Sequence, residues 1–151
     1  MKLRYRLRQI PATAVLLAAL FGGTVASAHA DTPRAEIASQ VKTYASKDGI
    51  KAWTLRYGPR EKNQALIQVT DSDSAIDKKI LLATTAATEK DTRYTVQLNG
   101  RPYVLLILSG SAGELYIPGS PNPAWVRYDE YLSAQSNPEH YLTDYEQQAK
   151  P

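Results

Sequence analysis

The stretch "TRYTVQLNGRPYVLLIL", residues 92–108, constrains the fold more than any other part of the chain. Tyr94, Val96 and Leu98 alternate with Arg93, Thr95 and Gln97, the two-residue period of a strand with one buried face. Asn99 and Gly100 then supply the residue types that tolerate the positive φ values of a type I′ turn. Pro102 falls at the start of the return strand, where a missing N–H costs least. The pattern predicts a β-hairpin. Because "YVLLIL" is apolar throughout, its strand is expected at the centre of a sheet, covered on both faces.

The same period recurs upstream. In "KAWTLRY" Trp53, Leu55 and Tyr57 alternate with Ala52, Thr54 and Arg56, and "QALIQVT" repeats the pattern after the polar, Gly-Pro-containing "GPREKN". "KKILLATTAA" reads as a third strand beyond the connector "DSDSAID", and "WVRY" as a last short one. Helices are expected at the ends. Thr32 before Pro33 fits an N-cap followed by Pro at the first helical position, and Ile37, Val41 and Tyr44 share one helical face. The same residues also read as an irregular start followed by a strand through "VKTYAS". Near the C-terminus "DEYLSAQ" and "NPEHYLTDYEQQ" read as helices, the second with Asn137 as N-cap and Pro138 at N1. The expected fold class is α+β: a mainly antiparallel β-sheet, with a small partly closed barrel as a variant, and short terminal helices.

Residues 1–30 are read as a secretory signal and residues 31–151 as a single exported α+β domain. The leader opens with Lys2, Arg4, Arg6 and Arg8, continues through an apolar run and ends in "AHA", with small residues at Ala28 and Ala30. That run is short for a membrane span and contains Gly22–Gly23, so no stable membrane insertion is expected after cleavage. The whole chain has 18 Lys and Arg against 15 Asp and Glu. The leader holds four of those cations and no acid, which leaves 14 against 15 and a net charge of −1. Without clustered cations to neutralise phosphates, nucleic acid is not an expected partner. The chain has no cysteine, which excludes thiol catalysis, disulfides and Cys-ligated metals. The expected location is the periplasm of a Gram-negative bacterium, or the medium beyond it.

Few constellations carry chemistry. His140 is the one histidine outside the leader, with Asp144 four residues on and Ser109 or Ser111 as conceivable nucleophiles. Neither serine lies in a nucleophile-elbow context. Asp71, Asp73 and Asp77 are closely spaced, but Ala75, Ile76 and Leu82 occupy positions where a calcium loop needs a ligand, a glycine and a glutamate. Turn chemistry explains these acids, and neither a metal nor a cofactor is expected. Glu114 is the first candidate for a catalytic carboxylate, with no second acid singled out.

The chain is rich in Tyr and Trp, and Tyr116, Trp125, Tyr128, Tyr131, Tyr141 and Tyr145 crowd its last quarter. Such side chains suit contact with partners as well as small cores. "LSGSAGELYIPGSPNPAWVRY" holds Tyr116, Trp125 and Tyr128 among small residues and prolines. Residues 109–123 are read there as a loop, with Ser111, Glu114, Leu115, Tyr116 and Trp125 as partner-binding residues.

"YASKDGIKAWTLRYG", the Gly113-x-x-Tyr116 of "AGELY" and the short aromatic strand beyond it resemble the periplasmic and membrane-bound inhibitors of c-type lysozyme. That family presents a Ser-Gly-x-x-Tyr loop to the lysozyme cleft. Ala112 stands here in place of the serine, and the family's cysteine and Trp-Thr-Lys-Gly continuation are absent. The resemblance implies a non-enzymatic binding protein, of the inhibitor or immunity type, that occludes a partner protein's cleft. The alternatives are a small envelope hydrolase using Glu114 or His140, and a structural or stress-response envelope protein that binds peptidoglycan or pairs as a homodimer.

Overall fold

The structure, a computed structural model, describes residues 33–150. The expected signal segment, residues 1–30, lies outside the described residues. The strands are β1 (Lys42–Ser46), β2 (Lys51–Tyr57), β3 (Gln64–Thr70), β4 (Ile80–Ala87), β5 (Thr92–Leu98), β6 (Arg101–Ser109), β7 (Ala112–Leu115) and β8 (Ala124–Tyr128). Helices α1 (Glu130–Gln135) and α2 (Pro138–Gln148) follow. Each strand runs antiparallel to the next, and β8 pairs with β1 to close an eight-stranded barrel. Closure leaves no sheet edge, and eight strands enclose a space that side chains can fill.

The predicted hairpin is β5–β6. Asn99 (φ 51°) and Gly100 (φ 74°) both occupy the left-handed region, as a type I′ turn demands. The unbroken apolar run on β6 has a different cause from the one expected. A register shift opposite Tyr94–Thr95 leaves Leu105 as an extra residue, so Leu105 and Leu106 are both fully buried in the barrel. Beyond the bulge Ile107 points outward, and Val104 is exposed. The strand is covered on its inner face only.

Two apolar clusters hold the domain. One fills the barrel, with Ile67, Val69, Val96, Leu105, Leu106, Leu115 and Val126 at its centre. Tyr44 and Tyr128 meet edge to face inside it across the β1–β8 seam, 5.8 Å between ring centroids, an arrangement that aromatic quadrupoles favour. The other cluster lies outside the barrel, where Tyr141 and Leu142 of α2 cover Val41, Leu55, Leu66 and Ile80. Asn137 caps α2 as expected, its side-chain oxygen accepting from the amides of Glu139 and His140. On β5–β8 Val96, Leu106, Leu115 and Val126 point inward while Arg93, Glu114 and Arg127 face out, so charges stand where a lipid-embedded barrel carries its apolar band.

The helices also satisfy backbone groups that pairing leaves over. β8 reaches only Tyr44–Ser46 of β1, and α1 finishes the seam. The Thr43 amide donates to Ser133 Oγ (2.9 Å), and the Asp129 amide donates to the Thr43 carbonyl (2.8 Å). Gln148 does the same for β4: its Oε1 accepts from the Ile80 amide (2.9 Å) and its Nε2 donates to the Ile80 carbonyl (2.8 Å).

The helix expected from Thr32 is not found in the described residues. Ile37 bridges to Tyr57, and Lys42–Ser46 is strand β1. The apparent helical face dissolves because its members serve different cores: Ile37 and Val41 pack under α2, whereas Tyr44 enters the barrel. Among the described residues, the terminal helices are at the C-terminus alone.

The two ends of the barrel differ. At one end, Ile76 from the β3–β4 loop and Ile117 from the β7–β8 loop are buried as a plug. The other end, where the β2–β3 and β4–β5 connections lie, opens into a polar cavity.

Candidate functional site

The segment expected to be one loop is three structures. Gly110 and Ser111 form a two-residue turn between Ser109 and Ala112. Positive φ occurs at Gly110 alone (64°), the pattern of a type II′ hairpin. Ala112–Leu115 is strand β7. Pro118 and Gly119 (φ 85°) then make a tight turn, closed by the Ser120 amide donating to the Ile117 carbonyl (3.0 Å). A glycine with positive φ after a proline is the pairing that a type II turn requires.

Gly113 explains why a strand fits here. A Cβ on it would stand 2.0 Å from the Ile107 carbonyl oxygen and 2.9 Å from Leu108 Cα, both backbone atoms of β6. The glycine of the Gly-x-x-Tyr stretch therefore allows two strands to approach closely; it is not a point of loop flexibility.

Strand alternation sorts the expected binding residues. Leu115 points into the barrel with no exposed surface, so it has nothing to offer a partner. Ser111 is exposed, but it sits at the hairpin turn, at the far end of β7 from Tyr116. Glu114, Tyr116 and Trp125 do come together. Glu114 is the cross-strand partner of Trp125, and the Tyr116 hydroxyl donates to Glu114 Oε2 at 2.5 Å. That bond to a carboxylate, with burial and the carboxylate's charge adding to it, raises the Tyr116 pKa, while Arg93 opposes the shift.

The register extends this group into a row. Arg93 pairs with Ile107, Ile107 with Glu114 and Glu114 with Trp125, so one rung crosses β5, β6, β7 and β8 on the outer surface. Trp125 is 56% exposed. Helix α2 covers the outer residues of β2 and β3 but none of this rung. Arg93 and Ile107 escape sequence reading, because nothing local signals which residues three strands apart share a rung.

The other candidates do not assemble. His140 borders a groove with Gln68, Thr70, Tyr141 and Asp144 on the α2 side, and neither Ser109, Ser111 nor Glu114 borders it. Ser109 Oγ donates instead to the Lys90 carbonyl (3.1 Å). The acids of "DSDSAID" do turn chemistry and ion pairing. Asp77 Oδ1 accepts from the amide and hydroxyl of Ser72 (2.9 and 3.1 Å). Asp71 pairs with Lys51 Nζ at 2.8 Å. The Lys51 bond holds the Asp71 carboxyl below its usual range.

Comparison with known proteins returns no matching family model, no matching curated protein and no matching solved structure.

Proposed function

We propose that this protein is an exported, non-enzymatic recognition module that binds another protein through the outer face of β5–β8. The observation that carries the reading is the rung Arg93–Ile107–Glu114–Trp125, flanked by Tyr116. Arg, Tyr and Trp are the residue types that most often dominate protein interfaces, and here they surround an apolar centre. Trp125 is the anchor, since more than half of it is open to solvent on the outer surface of β8. The Tyr116–Glu114 bond fixes two polar side chains before any partner arrives, which lowers the ordering cost of association.

The resemblance to lysozyme inhibitors supports an inhibitor or immunity role, with the half-buried Tyr116–Glu114 pair in place of a protruding loop. The module would act by occlusion in the periplasm or outside the cell. Affinity capture from an envelope fraction, with purified c-type lysozyme as the first defined probe, tests the proposal. Capture should be lost on Trp125→Ala while the melting temperature stays unchanged. A Trp125→Ala protein that captures the same partner at the same level would sink the reading.

A further inference from the structure

We infer that the open end of the barrel binds the anionic group, carboxylate or phosphate, of a small molecule. A cavity of about 360 Å³ lies there, within the range of small-molecule sites and at a barrel mouth, where such sites recur. The Ser39–Gln40 segment, between the Ile37 bridge and β1, forms one wall. Thr85 and Tyr94 present hydroxyls from inward positions of β4 and β5, Thr54 of β2 donates its own to the Lys42 carbonyl (3.3 Å), and Lys42, Arg56 and Arg60 border the opening.

The charge arrangement points to an anion. Three cations and no carboxylate line the cavity. Among the described residues, Lys42 and Arg60 enter no ion pair. Arg56 is shared: its Nη2 lies 3.0 Å from Glu36 Oε1, outside the lining, and its Nη1 donates to the Gly58 carbonyl. Those contacts hold the guanidinium in place at the rim. A purely structural barrel would gain by closing this end with apolar side chains, as Ile76 and Ile117 close the other. A half-enclosed cleft with one sign of charge focuses its field on entering ions, and hydroxyls on its walls can donate to anionic oxygens. This site is separate from the β5–β8 face and does not depend on it.

Amide and methyl NMR titrations of the protein at low ionic strength test the inference, with inorganic phosphate and acetate as separate arms. Saturable shifts are expected at Thr54, Thr85 and Tyr94 in at least one arm. Response to phosphate alone identifies a phosphate group, to acetate alone a carboxylate, and to both a site that reads charge. The doubly substituted K42Q/R60Q protein, altered only at exposed side chains, should bind at least about tenfold more weakly. Absence of saturable shifts in both arms, or equal affinity in K42Q/R60Q, would overturn the inference.

Discussion

Tyr116 and Glu114, two residues apart at the end of β7, are joined by a 2.5 Å hydrogen bond in which the phenol donates to the carboxylate. The bond couples the titration of the phenol to the charge of its neighbour. Glu114→Gln replaces the carboxylate with a neutral acceptor and should bring the raised Tyr116 pKa back toward its ordinary value near 10. The Tyr116 ring Cζ chemical shift followed against pH by NMR measures it; an unchanged Tyr116 titration in the variant would show that the bond does not form in solution.

Gly113→Ala should prevent β7 from closing against β6. The added methyl meets backbone, which cannot swing aside as a side chain can. The loss should therefore exceed the ~1–3 kcal/mol of ordinary overpacking. Denaturant unfolding decides this, and a variant within about 1 kcal/mol of wild type, the lower bound of that range, would refute the close approach.

The seam at Thr43 makes two opposite predictions. Ser133 Oγ is the acceptor for the Thr43 amide. Ser133→Ala strands a buried donor and should cost about 1–3 kcal/mol. The Thr43 hydroxyl itself is buried without a protein partner. Thr43→Val keeps the shape and removes that polar group, and should be neutral or stabilising by up to about 1 kcal/mol. Both are read from denaturation midpoints.

Alkali should unfold the barrel through its buried tyrosines. Burial, with Tyr94 and Tyr128 nearby, pushes Tyr44 from 10.0 up to about 12, and burial also raises Tyr94 and Tyr141. Below pH 10 the Tyr44 phenol is neutral in both folded and unfolded chains. Between 10 and about 12 the unfolded chain releases its proton first, so stability falls as pH rises through that window. The Tyr44 contribution to that loss is on the order of 2 kcal/mol. Urea midpoints across this pH range should fall, and Tyr44→Phe should make the fall shallower.

Legibility in the sequence follows the range of the interactions. The β5–β6 hairpin is readable because alternation and Asn99–Gly100 both act locally, and α2 because Asn137–Pro138 caps it from adjacent positions. Closure is readable only as a variant, the partly closed barrel, since Tyr44 and Tyr128, which meet at the seam, stand far apart in the chain. Strand β7 is hidden by its brevity and by Gly113, a residue that usually signals a break. Of the candidate site, Glu114, Tyr116 and Trp125 are visible as chemically distinctive residues. Their grouping, and the inward turn of Leu115, depend on a strand register that no local pattern announces.

Binding affinity for a captured partner, measured by calorimetry for three proteins in parallel, is the sharpest test of the recognition face. Trp125→Ala should cost about 2 kcal/mol or more, roughly a thirtyfold loss. Tyr131→Ala, which removes a 71% exposed aromatic ring from α1, should leave affinity unchanged. Equal affinity for wild type and Trp125→Ala, or an equal loss in both variants, would contradict recognition through the β5–β8 face.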